Sequence, residues 1–106
     1  MKESSTNVVS PMDPNRNRLL EGEDPSTRSH QQASRWIAAY AELMTFKDKV
    51  LDGMEAAAKD LPAVARSEIQ ELDINMAHLQ RQRYQSRLAF WEQRRDQLLV
   101  EEANKA

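Results

Sequence analysis

Asp60-Leu61-Pro62 separates two long stretches of helical pattern, Trp36 to Leu61 and Ile69 to Leu99. Proline lacks a backbone N–H and its ring collides with a preceding helical turn. It also drives the residue before it out of the α region. One helix must therefore end near Asp60, and Pro62 suits the first turn of the next. The break predicts an all-α fold: a long antiparallel helical hairpin, coiled-coil-like, with a helix over about 25–60, a turn at about 60–62 and a helix over about 62–103. Ser67-Glu68-Ile69-Gln70 also reads as a capping box. That leaves a second option, in which Pro62 to Arg66 forms a short turn and the long helix starts at Ser67.

Upstream of the break, Trp36, Tyr40, Leu43, Lys47, Val50, Met54, Ala57 and Leu61 follow one another at alternating steps of four and three. This is the spacing of a coiled-coil seam. Ile37, Met44, Leu51 and Ala58 form a second line one position on and widen the apolar face. Asp24-Pro25 offers an N-cap followed by a proline at the first helical position, with Ser26 as the alternative cap. Gly53 lies inside this helix at a cost of ~1 kcal/mol against alanine, suited to a close helix contact or a mild bend. Ala56-Ala57-Ala58 keeps the same end slim.

Downstream, Ile69, Leu72, Met76 and Leu79 make one seam, which continues through Tyr84, Leu88, Trp91 and Leu98. The five-residue step from Leu79 to Tyr84 moves the apolar line sideways. Folding the chain at Leu61-Pro62 sets side by side those positions whose numbers sum to about 123. Met54 then meets Ile69, Val50 and Leu51 meet Leu72, and Leu43 and Met44 meet Leu79. Tyr40 falls near Tyr84, and Trp36 near Leu88 and Trp91. The open end of the hairpin is aromatic and the turn end aliphatic and small.

Two helices alone leave one side of each seam wet, and each large side chain left exposed forfeits about 1.5–3 kcal/mol. Dimerisation into a four-helix bundle recovers that burial, and a helical protein partner would serve equally. The expected contact residues are Trp36, Ile37, Tyr40, Met44, Tyr84, Leu88, Phe90 and Trp91.

The rest of the composition narrows the function classes. The 106 residues allow one domain, and residues 1–23, polar and rich in Ser, Asn and Pro, are expected to be a disordered tail. Leu19-Leu20 is the one pair there able to dock as an anchor. The absence of cysteine excludes disulfides, thiolate metal sites and cysteine nucleophiles. No stretch approaches the ~20 apolar residues a membrane span needs, and no signal-peptide pattern opens the chain. The expectation is a cytoplasmic protein without a membrane partner.

No glycine-rich phosphate loop or Ser/His/Asp set is present, and an extended hairpin lacks the concave site catalysis needs. The sequence therefore points to a non-enzymatic interaction module (adaptor, assembly or regulatory factor) with no cofactor, metal or small-molecule substrate. His78 has no second ligand at helical spacing, and His30 sits in a polar helix start. The alternative function comes from Arg81, Arg83, Arg87, Arg94 and Arg95, interleaved with Tyr84, Phe90 and Trp91. Cations and aromatics so mixed suit nucleic acid. Residues 26–45 with 77–106 hold eight basic and five acidic groups, and residues 46–76 hold four and seven, so the hairpin is electrically polar along its length. Lys47 is the polar intruder in the first seam, placed to snorkel outward or to fix register.

Overall fold

The computed structural model describes residues 18–105; the first 17 positions of the expected tail lie outside the described residues. It shows a helical hairpin. Helix α1 runs His30–Ala58 and packs along α3, Asn75–Lys105. Between them, α2 (Ala63–Glu68) and a π-helical turn (Ile69–Ile74) lead directly into α3. The second arm is thus helical from Ala63 to Lys105. At about 1.5 Å per residue it accounts for the 64 Å longest dimension.

The reversal is built from backbone bonds that each helix end would otherwise lack. The amides of Asp60 and Leu61 donate to the carbonyls of Ala57 and Ala58 at 3.3 and 3.1 Å. Pro62 is extended (ψ 155°), and its carbonyl accepts the first bond of α2, from the Arg66 amide at 2.9 Å. Ser67 opens no helix. It lies inside the arm, its hydroxyl donating to Glu71 Oε1 one turn on at 3.2 Å.

At the other end α1 begins later than Asp24-Pro25 suggests. Ser29 is the N-cap, and its hydroxyl oxygen accepts from the Gln32 amide at 3.2 Å. The Asp24 carboxylate instead accepts from the amide and hydroxyl of Ser26, at 3.0 and 2.7 Å. Such local side-chain bonds hold the backbone in a turn and compete with helix. Residues 24–29 accordingly form a turn and an extended lead-in.

The π turn corrects the reading of the second seam. The Asn75 amide donates to Gln70, five residues back, so one extra residue is accommodated. The line of buried and half-buried positions steps five from Ile69 to Ile74 and then runs through Ala77, Arg81, Tyr84, Leu88, Trp91, Arg95 and Leu98. A sideways shift does occur, ten residues earlier than Leu79–Tyr84. Leu72 and Met76, read as seam residues, face outward at 58% and 36% exposure, while Ile74 is buried. The expected pairing of Leu72 with Val50 and Leu51 therefore fails. Leu51 and Ala58 cluster instead with Ile74 and Ala77.

The core has two parts. At the turn end it is thin: Leu51, Ala58, Ile74 and Ala77, flanked by Met54 and Ile69. At the open end Ala33, Tyr40 and Trp91 are buried beneath a wider shell. Lys47 lies between, its ammonium reaching across to Gln80 Oε1 at 2.7 Å. Among the described residues no helix is long and apolar enough to cross a membrane.

Candidate functional site

The segment Arg18–Ser29 folds back as a strap over the open end, including the six positions 18–23 that the sequence reading assigned to the tail. Its shape depends on one glycine. Gly22 has φ +86°, a region L side chains rarely adopt. It occupies the third position of a turn closed by the Glu23 amide on the Leu20 carbonyl at 3.0 Å. That turn packs Leu20 against the aromatic cluster and aims Glu23 inward.

The Glu23 side chain is fully enclosed and ties the strap to both long helices. Oε1 accepts from the Tyr40 hydroxyl at 2.5 Å and from the Leu20 amide at 2.8 Å. Oε2 accepts from the Trp91 indole at 2.6 Å and from Arg87 Nε and Nη2 at 3.1 and 2.7 Å. A buried carboxylate is tolerable only when its charge is paired and its lone pairs are filled, and here both conditions are met.

Burial alone would raise the Glu23 pKa. The bonds from Tyr40, Arg87, Leu20 and Trp91 together outweigh it and hold the carboxyl below its ordinary 4.5. For Tyr40, burial and then the bond to and charge of Glu23 push the phenol up to about 12, against a smaller opposing effect of Arg87. With five donors on two oxygens, Glu23 has no lone pair aimed at a substrate. Its role is that of a fastener.

This fastener places the residues singled out for partner contact. Tyr40 and Trp91 are at 1% and 0% exposure within the chain itself, so neither offers a partner any surface. Trp36 stacks on Trp91 with ring centres 6.5 Å apart, Phe90 meets Trp91 edge-on at 5.0 Å, and Tyr84 tilts against Tyr40 at 6.2 Å. Ile37 and Leu88 pack on the same cluster. Met44 is half-buried. The open end thus covers much of its own aromatic surface.

The five arginines are engaged as well. Arg87 is paired with Glu23 and lies 4.5 Å over the Phe90 ring. Arg94 donates twice to the Thr27 carbonyl, at 3.2 and 2.9 Å, and so fastens the strap at a second point. Arg81 pairs with Asp48 and Arg95 with Asp96. Arg83 lies 5.0 Å from the centre of the Tyr84 ring. Further out, Arg28 meets Glu101 at 2.8 Å and His30 meets Glu102 at 3.3 Å. His78 lies 3.8 Å from Glu55. Among the described residues no three His, Cys, Asp or Glu side chains are grouped as metal ligands.

Sequence reasoning missed Glu23, Gly22 and Arg94 as parts of one device. The available signal was Leu20-Glu21-Gly22-Glu23: an apolar anchor, a turn glycine and an acid just ahead of the helix.

Among the described residues the turn half has no such cover. Leu72, Met76 and Met54 border a shallow open groove of about 240 Å³ with Lys47 and Gln80. Phe46 is 62% exposed and Val64 85%. No protein-family model matches the chain, nor does any curated protein or any solved structure.

Proposed function

We propose that the chain is a non-enzymatic protein–protein interaction module, acting as an adaptor, assembly or regulatory factor through self-association of the hairpin. Support comes from the distribution of uncovered apolar surface. The strap and Glu23 largely close the aromatic end, so the contact surface moves to the middle and turn half, around Phe46, Met54, Leu72 and Met76. One observation carries the reading: Leu72 and Met76 stand outward, with Met54 and Ala77 beside them, along a groove that Lys47, Asp73 and Gln80 also line. Exposed apolar side chains grouped on one face are the kind of surface that protein partners use. The nucleic-acid alternative is the weaker reading, since each of the five arginines already has a partner within the chain.

Molecular mass measured in solution over a wide range of chain concentration tests the proposal. A reversible increase to twice the chain mass is expected. A folded monomer at the highest concentration would count against self-association.

A further inference from the structure

The carboxylate at the open end comes from the strap, but the side chains that receive it belong to the hairpin. Tyr40 stands on α1, and Arg87 and Trp91 stand one turn apart on α3. Each is held by aromatic side chains of the hairpin itself: Tyr40 by Tyr84, Trp91 by Trp36 and Phe90, and Arg87 by Phe90. Helix α1 does not need Glu23 for its start. The Gln32 and Ala33 amides donate to the side chain and carbonyl of Ser29, downstream of the buried acid. Without Glu23 the phenol, the indole N–H and the guanidinium would still converge, on an enclosed space that lacks an acceptor.

The strap holds that space chiefly through one side chain. Leu19 is 38% exposed and Leu20 half-buried, so the residues ahead of Glu23 cover little apolar surface. Farther along, the strap is tied by the Thr27 carbonyl to Arg94 and by the exposed pair of Arg28 with Glu101. We infer that the open end is a binding site for a glutamate-bearing peptide segment of a partner protein, kept shut in the free chain by the strap, which acts as its built-in ligand.

The strap is the template for what fits. The two carboxylate oxygens are received separately, Oε1 by Tyr40 and Oε2 by Trp91 and Arg87. That division suits a planar carboxylate and not a spherical halide ion, and a guanidinium beside it makes strong charge-assisted bonds. Leu20 adds an apolar contact with the aromatic cluster, and the turn at Gly22 lets the Leu20 amide reach the same carboxylate. The pattern recognised is Leu-x-Gly-Glu on a tight turn. A second copy's strap is engaged at its own site, so the segment comes from a different protein. It must compete with a tethered occupant at high effective concentration, which makes the site autoinhibited. This surface is separate from the turn half and does not rest on self-association.

The test uses the full chain carrying Glu23→Ala, which removes the built-in carboxylate and keeps the receiving groups. Acetate or propionate should raise its unfolding midpoint to a plateau and leave the wild type unmoved, and chloride at equal ionic strength should move neither. Adding Arg87→Gln to Glu23→Ala should abolish the gain. A peptide of residues 18–25 should bind Glu23→Ala roughly 100-fold more tightly than wild type. Glu23→Gln within the peptide should weaken that binding roughly tenfold. Glu23→Gln in the protein fills the space without the charge, so carboxylate salts should not stabilise it, while the peptide should bind it better than wild type.

Equal stabilisation of wild type, or by chloride, would overturn the carboxylate site. Equal peptide affinity for wild type and Glu23→Gln would overturn the autoinhibited peptide site, and this arm decides even if Glu23→Ala does not fold. A wild-type dimer that is lost in both Glu23 variants would overturn the partner assignment in favour of strap exchange between copies, whereas a dimer formed through the turn half should persist in Glu23→Gln.

Discussion

The two ends of the hairpin solve the same problem differently. Both bring two helices together and leave one side of the contact open. At the open end a third element, the strap, covers that side and is fixed by Glu23, Leu20 and Arg94. At the turn end nothing in the described chain plays that part, and Leu72, Met76 and Val64 remain outward. The lesson is that the size of a side chain does not tell where a partner is needed. The tryptophans and tyrosines are largely covered, whereas Leu72, Met76 and Val64 are not.

The contrast is broken most severely by Trp91→Ala. That substitution empties a fully buried site and removes a donor from Glu23. A loss of about 3–5 kcal/mol is expected in urea unfolding. Glu23→Ala comes next, at about 3 kcal/mol, because Arg87, Tyr40 and Trp91 lose a shared acceptor while remaining enclosed. Retained stability after either change would mean that the strap does not hold the open end.

The same fastener gives a pH signature with two limbs. Folded Glu23 titrates below 4.5, so its contribution is present above that pH and is lost as pH falls through the folded pKa. Folded Tyr40 titrates at about 12 against an ordinary 10.0. Its contribution is complete below pH 10 and is lost as pH rises toward 12. In Glu23→Ala the acid limb should flatten, provided the variant remains folded, as read by the unfolding midpoint across pH.

Smaller effects sharpen the comparison. Gly22→Ala forces an L side chain into a left-handed turn and should cost about 1–2 kcal/mol; a Cβ there meets nothing within 4 Å, so the loss is conformational. Leu72→Gln at the turn end should change monomer stability by no more than about 0.5 kcal/mol. A large loss there would show that the turn end is covered after all.

Sequence carried the hairpin because its determinants are local: Pro62 fixes the reversal, and the three–four spacing fixes which faces meet. It also carried the neighbourhoods of Trp36 with Trp91 and Tyr40 with Tyr84, since a reversal point alone places those pairs. The π turn was less legible. Its five-residue offset was visible as a need, but Leu72 and Met76 satisfied an uninterrupted helical pattern and drew the shift toward Leu79. The fastener was hidden for a different reason. Glu23 and Arg87 are 64 positions apart, and a lone acid in a polar segment has no spacing that reveals its partner. With the strap unread, the aromatic end looked open.

Exchange of the Trp91 indole proton with solvent tests the closed open end most directly. In the wild-type chain this proton is donated to an enclosed carboxylate. It should exchange only with unfolding, at a rate that follows global stability across denaturant, and it should be released in Glu23→Ala. Exchange in native wild-type protein at the rate of a free indole would contradict the account.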